Sequence, residues 1–292
     1  MSSIKSRNVS REDKNAVVGG VLYLVATPIG NLSDITERAL KVLGSVDFVA
    51  AEDTRNTGKL LSYFGISKPM VSYFEHNKRA RGEVIVERLK NGESCALVTD
   101  AGTPAISDPG EDLVVLCSEN NIPVTSIPGA SAVVNALALS ALPTGRFCFE
   151  GFLSTNKTDR FERLNEIKND TRTTIFYEAP HKLLKTLEDL YSAFGDRKIS
   201  LCRELTKINE EIIRTTISQA ILYYQDNSPR GEYVLVVEGC KKSEGDEFWR
   251  NMSIEEHIEY YISQEMKRMD AIKAVAKDRG VSKSEIYKIA NT

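Results

Sequence analysis

Short apolar runs that alternate with helix-like stretches restrict the fold of this 292-residue sequence more than any other feature. In the first half, apolar runs of strand length occupy residues 21–25, 47–51, 95–99 and 124–127. The helix-like stretches occupy residues 35–42, 83–90, 111–119 and 132–141. Strands that alternate with helices predict an α/β fold with a mainly parallel, doubly wound sheet, and such sheets place their ligands at the ends of the strands.

A second α/β unit is predicted to follow a boundary near residues 143–147, where the sequence reads PTGRF. Its strands are expected at 147–152, 174–177, 199–203 and 232–238, with helices at 161–167, 182–194 and 217–225. After Gly239 the sequence becomes more charged, and helices are predicted at 247–266, at 269–279 and after Ser282. The predicted organisation is a disordered tail at 1–19, α/β domains at 20–143 and 144–241, and a small helical module at 246–292.

The overall charge excludes a chain-wide basic surface. Lysine and arginine number 38 against 41 aspartates and glutamates, a net charge of −3. Contacts with a nucleic acid would therefore have to come from local patches. The five cysteines are scattered without metal-ligand spacing, so we expect a reduced, cytoplasmic protein that holds no metal. The apolar runs are too short to span a bilayer, so no membrane association is expected.

Four loops rich in glycine and proline follow the predicted strands, at residues 27–31, 100–110, 126–131 and 177–182. Glycine lets a backbone approach a ligand closely and offer it N–H and C=O groups. Neither the GxGxxG fingerprint of nicotinamide-binding proteins nor the GxxxxGK[ST] phosphate loop is present. One such loop would be unremarkable in an α/β protein, but four at strand ends favour a ligand cleft of another kind.

The motifs in and around these loops resemble those of the tetrapyrrole-methylase superfamily. They are VATPIGNLSD at 25–34, AEDTR at 51–55, TDAGTPAISDPG at 99–110, IPGAS at 127–131, FYEAPH at 176–181, CRELTK at 202–207 and RGE at 230–232. Together they are most similar to one branch, the ribosomal RNA small subunit methyltransferase I family, over residues 22–239. The resemblance implies two α/β domains with a cofactor cleft between them, and usually a homodimer.

The resemblance also implies a reaction and a binding site. The family transfers a methyl group from S-adenosylmethionine to the ribose 2′-hydroxyl of a cytidine in the decoding region of small-subunit (16S) ribosomal RNA. Carried over by motif, the residues expected to bind the methyl donor are Thr27, Pro28, Gly30, Gly102, Thr103, Pro104, Ile106, Ser126, Ile127 and Ala179. Apolar side chains such as Ile106 and Ile127 suit a neutral adenosyl ring.

Catalysis of this transfer requires alignment of the two substrates and the removal of one proton from a weakly acidic hydroxyl. We predict Glu204, Lys207 and Arg55 as catalytic residues, because a carboxylate can accept the proton and a cation can stabilise the developing oxyanion. Other candidates are Asp53, Glu178 and Arg203. The alternative for Glu204 and Lys207, which are three residues apart, is a solvated surface salt bridge.

Three basic segments are candidates for contact with RNA, since phosphate binding requires positive charge without fixed geometry. Their predicted RNA-binding residues are Lys78, Arg79 and Arg81, then Lys157 and Arg160, then Lys273, Lys277 and Lys283. The last three lie in a C-terminal segment whose pattern of helix, glycine turn and helix, with Ser282 as N-cap, resembles a helix-turn-helix. The alternative is that this segment only covers the second domain.

Two further functions remain open from the sequence. One is methylation of a small tetrapyrrole on the same fold, because a fold alone does not decide the substrate. The other is RNA or ribosome binding without catalysis. The basic run at 78–81 and the basic C-terminal helices favour RNA over a small macrocycle.

Overall fold

The computed structural model describes residues 16–241, residue 249 and residues 251–290. The described residues form two compact units, one extending to Gly239 and the other beginning at Cys240. Residues 1–15, which make up most of the predicted tail, lie outside the described residues. So do residues 247, 248 and 250 of the predicted helix 247–266, and residues 242–246 before it. The first unit contains two five-stranded sheets, and the second unit is helical.

The first sheet is entirely parallel, as the alternation of strands and helices predicts. Its strands, in the spatial order β3-β2-β4-β1-β5, are β1 (Leu22–Val25), β2 (Phe48–Ala51), β3 (Met70–Ser72), β4 (Cys95–Val98) and β5 (Val124–Ile127). The helices that follow them are α1 (Glu37–Ser45), α2 (Thr54–Tyr63), α3 (Lys78–Lys90), α4 (Gly110–Glu119) and α5 (Ala132–Leu139).

Helices cover both faces of this sheet, which explains why its central strands β1, β2 and β4 are apolar along their whole length, whereas the edge strands β3 and β5 are partly exposed. In β4, Cys95 and Leu97 face a core formed with α3 and α4, whereas Ala96 and Val98 face a core formed with α1 and α2. This alternation confirms the predicted doubly wound arrangement.

The second sheet is mixed. Its order is β6-β7-β10-β8-β9, and all its strand pairs except β6 with β7 are antiparallel. The strands are β6 (Phe147–Phe152), β7 (Thr173–Glu178), β8 (Lys198–Arg203), β9 (Glu211–Thr216) and β10 (Tyr233–Val237). Its helices are α6 (Lys157–Ile167), α7 (Leu183–Phe194) and α8 (Ile217–Asp226).

The second sheet is covered by helices on both faces. Helices α6, α7 and α8 cover one face of the second sheet. The opposite face packs against α5, whose Val133, Ala136 and Leu137 contact Val234 and Val236 of β10. The helix that precedes the predicted boundary at 143 is therefore buried against the sheet that follows it.

The C-terminal unit contains α9 (Ile254–Ser263), α10 (Arg268–Arg279) and α11 (Lys283–Ile289) around a small apolar core. Helix α10 ends at Gly280, which has a left-handed φ of 65°. The Ser282 hydroxyl accepts a hydrogen bond from the Glu285 amide at 3.3 Å, so the predicted N-cap is confirmed.

Several elements differ from the expectations. Helix α3 begins at Lys78 instead of residue 83, so the basic run is helical. The sequence pattern also missed α2, β3 and β9. Helix α2 is rich in polar residues, and β3 has three residues at the edge of the sheet, so neither produces an apolar run long enough to be recognised.

Candidate functional site

A cavity of about 310 Å³ lies between the first sheet and the second sheet. One wall is the loop after β4, including Gly102, Thr103 and Ile106. The facing wall comes from the end of β7, at Glu178 and Ala179, and from the loop after β8 and the start of β10. The cavity is within the size range of small-molecule binding sites and lies at the ends of parallel strands, where α/β proteins bind ligands.

The loop after β4 is held in a strained conformation. Gly102, Ala105 and Ser107 have φ angles of 86°, 67° and 62°, and such angles are uncommon for residues other than glycine. Gly102 and Thr27 bond each other through both backbone groups, at 2.9 and 3.1 Å. Strain of this kind is retained where the surrounding structure requires it, and it is concentrated at functional sites.

Asp108 stabilises this loop and leaves one oxygen available to a ligand. Its Oδ1 accepts hydrogen bonds from the amides of Ala105 at 3.1 Å and Gly110 at 2.7 Å. Its Oδ2 is buried and has no hydrogen-bond partner among the described residues. Asp108 lines the cavity, and a buried polar atom without a partner is costly, so Oδ2 is suited to accept a bond from a bound molecule.

The loop after β8 is the second strained segment. Glu204 and Thr206 have φ angles of 51° and 67°. The Thr206 hydroxyl accepts a hydrogen bond from the Asn31 amide at 3.1 Å, which ties this loop to the loop after β1. The approach requires glycine at position 30, because a Cβ there would lie 3.1 Å from the Leu205 carbonyl and 2.4 Å from Lys207 Cγ.

Three charged side chains meet at the edge of the cavity. The Lys207 ammonium donates to Glu204 Oε1 at 2.8 Å and to Glu232 Oε2 at 2.9 Å. Glu204 Oε1 also accepts a hydrogen bond from the Glu232 amide at 2.9 Å. Glu204, Lys207 and Glu232 therefore form a connected cluster, which we call the charged cluster, and all three line the cavity.

The charged cluster contains an ionised pair at neutral pH. The hydrogen bond from Lys207 lowers the pKa of Glu204 in spite of its partial burial. Partial burial disfavours the charged form of Lys207, but its bonds to the two carboxylates outweigh this and raise the pKa of Lys207. Lys207 is therefore a cation at the cavity wall, and it is suited to stabilise negative charge more than to accept a proton.

A second cavity, of about 500 Å³, adjoins the first. The two share Ile29, Thr99, Ala101, Lys207 and Glu232 as lining residues. The rest of its wall comes from the loop after β1, from one side of α2 and from Asp100 at the end of β4. Two of the three residues of the charged cluster therefore stand at the junction of two binding spaces.

The residues predicted to bind the donor fall into three groups: those that line the first cavity, those that line the second, and those that line neither. Gly102, Thr103, Ile106 and Ala179 line the first cavity, and Thr27, Pro28 and Gly30 line the second. Pro104, Ser126 and Ile127 line neither cavity. Pro104 and Ile127 are buried, while the carbonyl of Ser126 accepts a hydrogen bond from Arg38 at 2.9 Å.

Of the three predicted catalytic residues, the structure brings Glu204 and Lys207 together and leaves Arg55 outside both cavities. Arg55 is largely exposed and pairs with Asp53, which caps α2. The hydrogen bonds from Arg55 lower the pKa of Asp53 to about 2. Of the other candidates, Glu178 is buried and accepts bonds from the Ala179 amide and the Thr186 hydroxyl, and Arg203 pairs with Glu211.

Several cavity residues were missed by the sequence reasoning. Asp108 and Glu232 each lie within a recognised motif, but no role was predicted for either. The RGE motif was the available signal for Glu232, since Gly231 has a φ of 75° and allows the close approach of Glu204. Tyr63 of the second cavity had no signal, because the helix that carries it was not predicted.

Some of the predicted RNA-binding residues form ion pairs with acidic side chains of this protein, and others form none with any residue that the structure describes. Lys78 pairs with Glu75 at 2.8 Å and with Asp112 at 2.7 Å. Arg160 donates to the buried Asp189 at 2.8 Å and to two backbone carbonyls. Its guanidinium therefore links α6 to α7. Lys273 pairs with Asp270. The remaining predicted residues are exposed: Arg79, Arg81, Lys157, Lys277 and Lys283.

Within residues 16–241, 249 and 251–290, no group of three or more histidine, cysteine, aspartate or glutamate side chains is arranged to hold a metal ion. In the same part of the chain, no helix is both long enough and apolar enough to cross a membrane.

The sequence is similar to those of known methyltransferases. Residues 21–221 match the sequence profile of the Tetrapyrrole (Corrin/Porphyrin) Methylases. A protein of Halalkalibacterium halodurans named ribosomal RNA small subunit methyltransferase I is 48% identical over 281 residues, covering 96% of each chain. The protein of the same name from Bacillus subtilis is 47% identical, covering 92% of this chain and 93% of its own.

Solved structures share the fold at much lower identity. Uroporphyrin-III-C-methyltransferase from Thermus thermophilus aligns with a TM-score of 0.55 and 18% identity, covering 75% of this chain and 94% of its own. Diphthine synthase aligns with a TM-score of 0.56 and 16% identity, covering 75% and 90%. At these identities the likeness shows the fold alone, whereas the sequence relatives extend over nearly the whole chain. The chain therefore belongs to the tetrapyrrole methylases and, within them, to the ribosomal RNA small subunit methyltransferase I family.

Proposed function

We propose that this protein transfers a methyl group from S-adenosylmethionine to the ribose 2′-hydroxyl of a cytidine in the decoding region of small-subunit ribosomal RNA, within the 30S subunit. The main support is the set of relatives named ribosomal RNA small subunit methyltransferase I, which are 41–48% identical over at least 92% of this chain. All the loops that line the first cavity fall within that similarity. The proposed substrate places the reaction in the cytoplasm, and the proposed working form is a homodimer.

The first cavity suits the methyl donor chemically. Ile106, half exposed on the cavity wall, and Ile29 offer apolar contacts to an adenosyl ring. Thr103 and the backbone of its loop provide polar groups, and Asp108 Oδ2 can accept a bond from an ammonium or hydroxyl group of the donor. When bound, S-adenosylmethionine supplies a methyl group that its positive sulfur already activates.

The residues of the charged cluster would act on the acceptor hydroxyl. A hydroxyl that enters the junction of the cavities meets the Lys207 ammonium, whose charge stabilises negative charge developing on the ribose oxygen. The hydroxyl proton passes to a carboxylate of the cluster, and Glu232 is placed for this because it lines both cavities. Glu204 holds Lys207 in position through Oε1.

Methylation of small ribosomal subunits tests the proposal directly. Subunits from a strain that lacks the corresponding gene would be incubated with the purified protein and isotopically labelled S-adenosylmethionine. We expect about one methyl group per subunit, at a cytidine whose 3′ phosphodiester becomes resistant to alkali because its 2′-hydroxyl is blocked. Methylation of a base, or incorporation only into a tetrapyrrole acceptor, would overturn the proposal.

Calorimetric titration with the donor separates an enzyme from a binding module. A protein that binds RNA without catalysis would show no donor binding at millimolar concentration. Light scattering during size-exclusion chromatography would test the proposed homodimer.

A further inference from the structure

The second cavity has features that suit a ligand other than the methyl donor, although three residues predicted to bind the donor, Thr27, Pro28 and Gly30, also line it. It has a volume of about 500 Å³, and it opens beside the charged cluster. Its outer wall is one side of α2, with Asn56, Lys59 and Tyr63. The junction with the first cavity is formed by Lys207 and Glu232, among other shared residues. A molecule in this space would therefore have one edge at the charged cluster.

Tyr63 offers an aromatic surface at the wall of this cavity. It is the last residue of α2 and remains 68% exposed. Its ring packs edge-to-face on Phe64, with 4.9 Å between centroids, so its orientation is supported from one side. Exposed aromatic side chains that are held in this way are the surfaces on which proteins stack the bases of single-stranded RNA.

Asp100 offers a hydrogen-bond acceptor in the same cavity. The Asn56 amide donates to Asp100 Oδ2 at 3.2 Å, which orients the carboxylate. The other oxygen, Oδ1, takes no hydrogen bond from any residue in the described part of the chain. A carboxylate accepts a bond from the exocyclic amine of cytosine, while uracil has a carbonyl oxygen at that position.

Lys59 adds a positive charge to the same wall. Its side chain is exposed and forms no ion pair with any described residue. An unpaired ammonium near the mouth of the cavity suits the phosphate of a nucleotide, which is bound through charge and without strict geometry.

We propose that the second cavity is the pocket for the acceptor nucleoside. It takes one cytidine extruded from the RNA, with the base stacked on Tyr63, the exocyclic amine at Asp100 and the ribose directed to Lys207. Enzymes that act on a base commonly extrude its nucleotide into such a pocket. This inference rests on the proposed function, because it assumes an RNA cytidine as the acceptor.

The first test is Tyr63→Ala, with Tyr191→Ala as the matched control. Tyr191 is also an exposed tyrosine, at 45%, and it lies on α7 away from both cavities. Loss of stacking on one base weakens RNA binding by about tenfold. We therefore expect Tyr63→Ala to raise KM for the small subunit about tenfold, while its dissociation constant for the donor stays within twofold of the unmodified protein. Tyr191→Ala should change neither value.

The second test is Asp100→Asn, with Asp226→Asn as the control at an exposed aspartate on α8. Both proteins would be assayed on small subunits that carry cytidine or uridine at the target position. We expect the unmodified protein to prefer cytidine by at least about tenfold in kcat/KM. Asp100→Asn should reduce this preference to about threefold or less, because an amide can also donate to the uracil carbonyl.

The outcomes separate the two proposals. If the unmodified protein does not methylate a cytidine of the subunit, the proposed function fails and this pocket fails with it. If it methylates the cytidine but Tyr63→Ala and Asp100→Asn match their controls, only the pocket assignment is overturned. An equal loss of activity on cytidine and uridine in Asp100→Asn would overturn the role of Asp100 in base selection.

Discussion

Replacement of Lys207 by methionine tests the central part of the proposed mechanism. Methionine keeps the apolar stem but removes the cation that bridges Glu204 and Glu232. Removal of one group that stabilises a developing oxyanion lowers kcat by about 100- to 1,000-fold. The pair with Glu232, whose side chain is 80% exposed, contributes little to stability, but Glu204 is only 17% exposed and loses its cationic partner, so we expect a destabilisation of about 1–3 kcal/mol.

The assay would compare single-turnover methylation of small subunits by the unmodified protein, by Lys207→Met and by a matched control. Lys185→Met is that control, because Lys185 also bridges two carboxylates, those of Glu188 and Asp189, but lies on α7 away from both cavities. Calorimetry would verify donor binding, and thermal unfolding would verify that each variant folds. Lys207→Arg should recover only part of the rate, since a planar guanidinium does not reproduce the ammonium geometry.

A rate of Lys207→Met within about threefold of the control, with donor binding unchanged, would show that Lys207 does not stabilise the developing charge on the ribose oxygen. In that case the charged cluster would be the solvated salt bridge that the sequence left open. A loss of donor binding that matches the loss of rate would instead place Lys207 in the donor site.

Three further predictions follow from the described contacts. Ile106→Ala should weaken donor binding several-fold through the loss of buried apolar surface, whereas Val115→Ala, at a similarly exposed position on α4, should leave it unchanged in calorimetry. Nuclear magnetic resonance titration should show the Asp53 carboxyl protonating near pH 2. Because its pKa is lowered in the folded state, its contribution to stability is present above about pH 4 and is lost as the pH falls through 2. If the C-terminal unit contacts RNA, its lysines should contribute to the dependence of subunit binding on salt concentration. Replacement of Lys273, Lys277 and Lys283 by alanine should then lower the slope of log affinity against log salt concentration by about two to three, with donor affinity unchanged. An unchanged slope would favour a purely structural role.

Much of the first sheet could be predicted because its central strands, β1, β2 and β4, are buried on both faces. Runs such as Cys95–Val98 are apolar at every position and end at loops with glycine or proline. Helix α2 could not be predicted in this way, since only Thr57 and Leu61 of its ten residues are buried. Its start is set by Asp53 as N-cap. This cap is difficult to recognise in the sequence, because the residues around it are also polar.

Within the charged cluster, one pairing could be predicted from the sequence and the other depends on the tertiary structure. Glu204 and Lys207 are three residues apart, so a sequence pattern can suggest their pairing. Glu232 is 25 residues beyond Lys207, and it joins them because β10 pairs antiparallel with β8, with Tyr233 opposite Arg203. Lys78 illustrates the converse, since its partner Asp112 lies on another helix and neutralises a charge that the basic run suggested was free.

The α/β architecture, the family and the loops that surround the cleft could be predicted from the sequence, because buried strands and glycine turns leave local patterns. The three-dimensional structure was needed to show which of the predicted donor residues share a cavity, that Arg55 lies apart, and that a second cavity opens beside Lys207. These features depend on pairs of residues from different strands and helices. Their distances are set by strand register and by the packing of α5 against the second sheet, which no local pattern encodes.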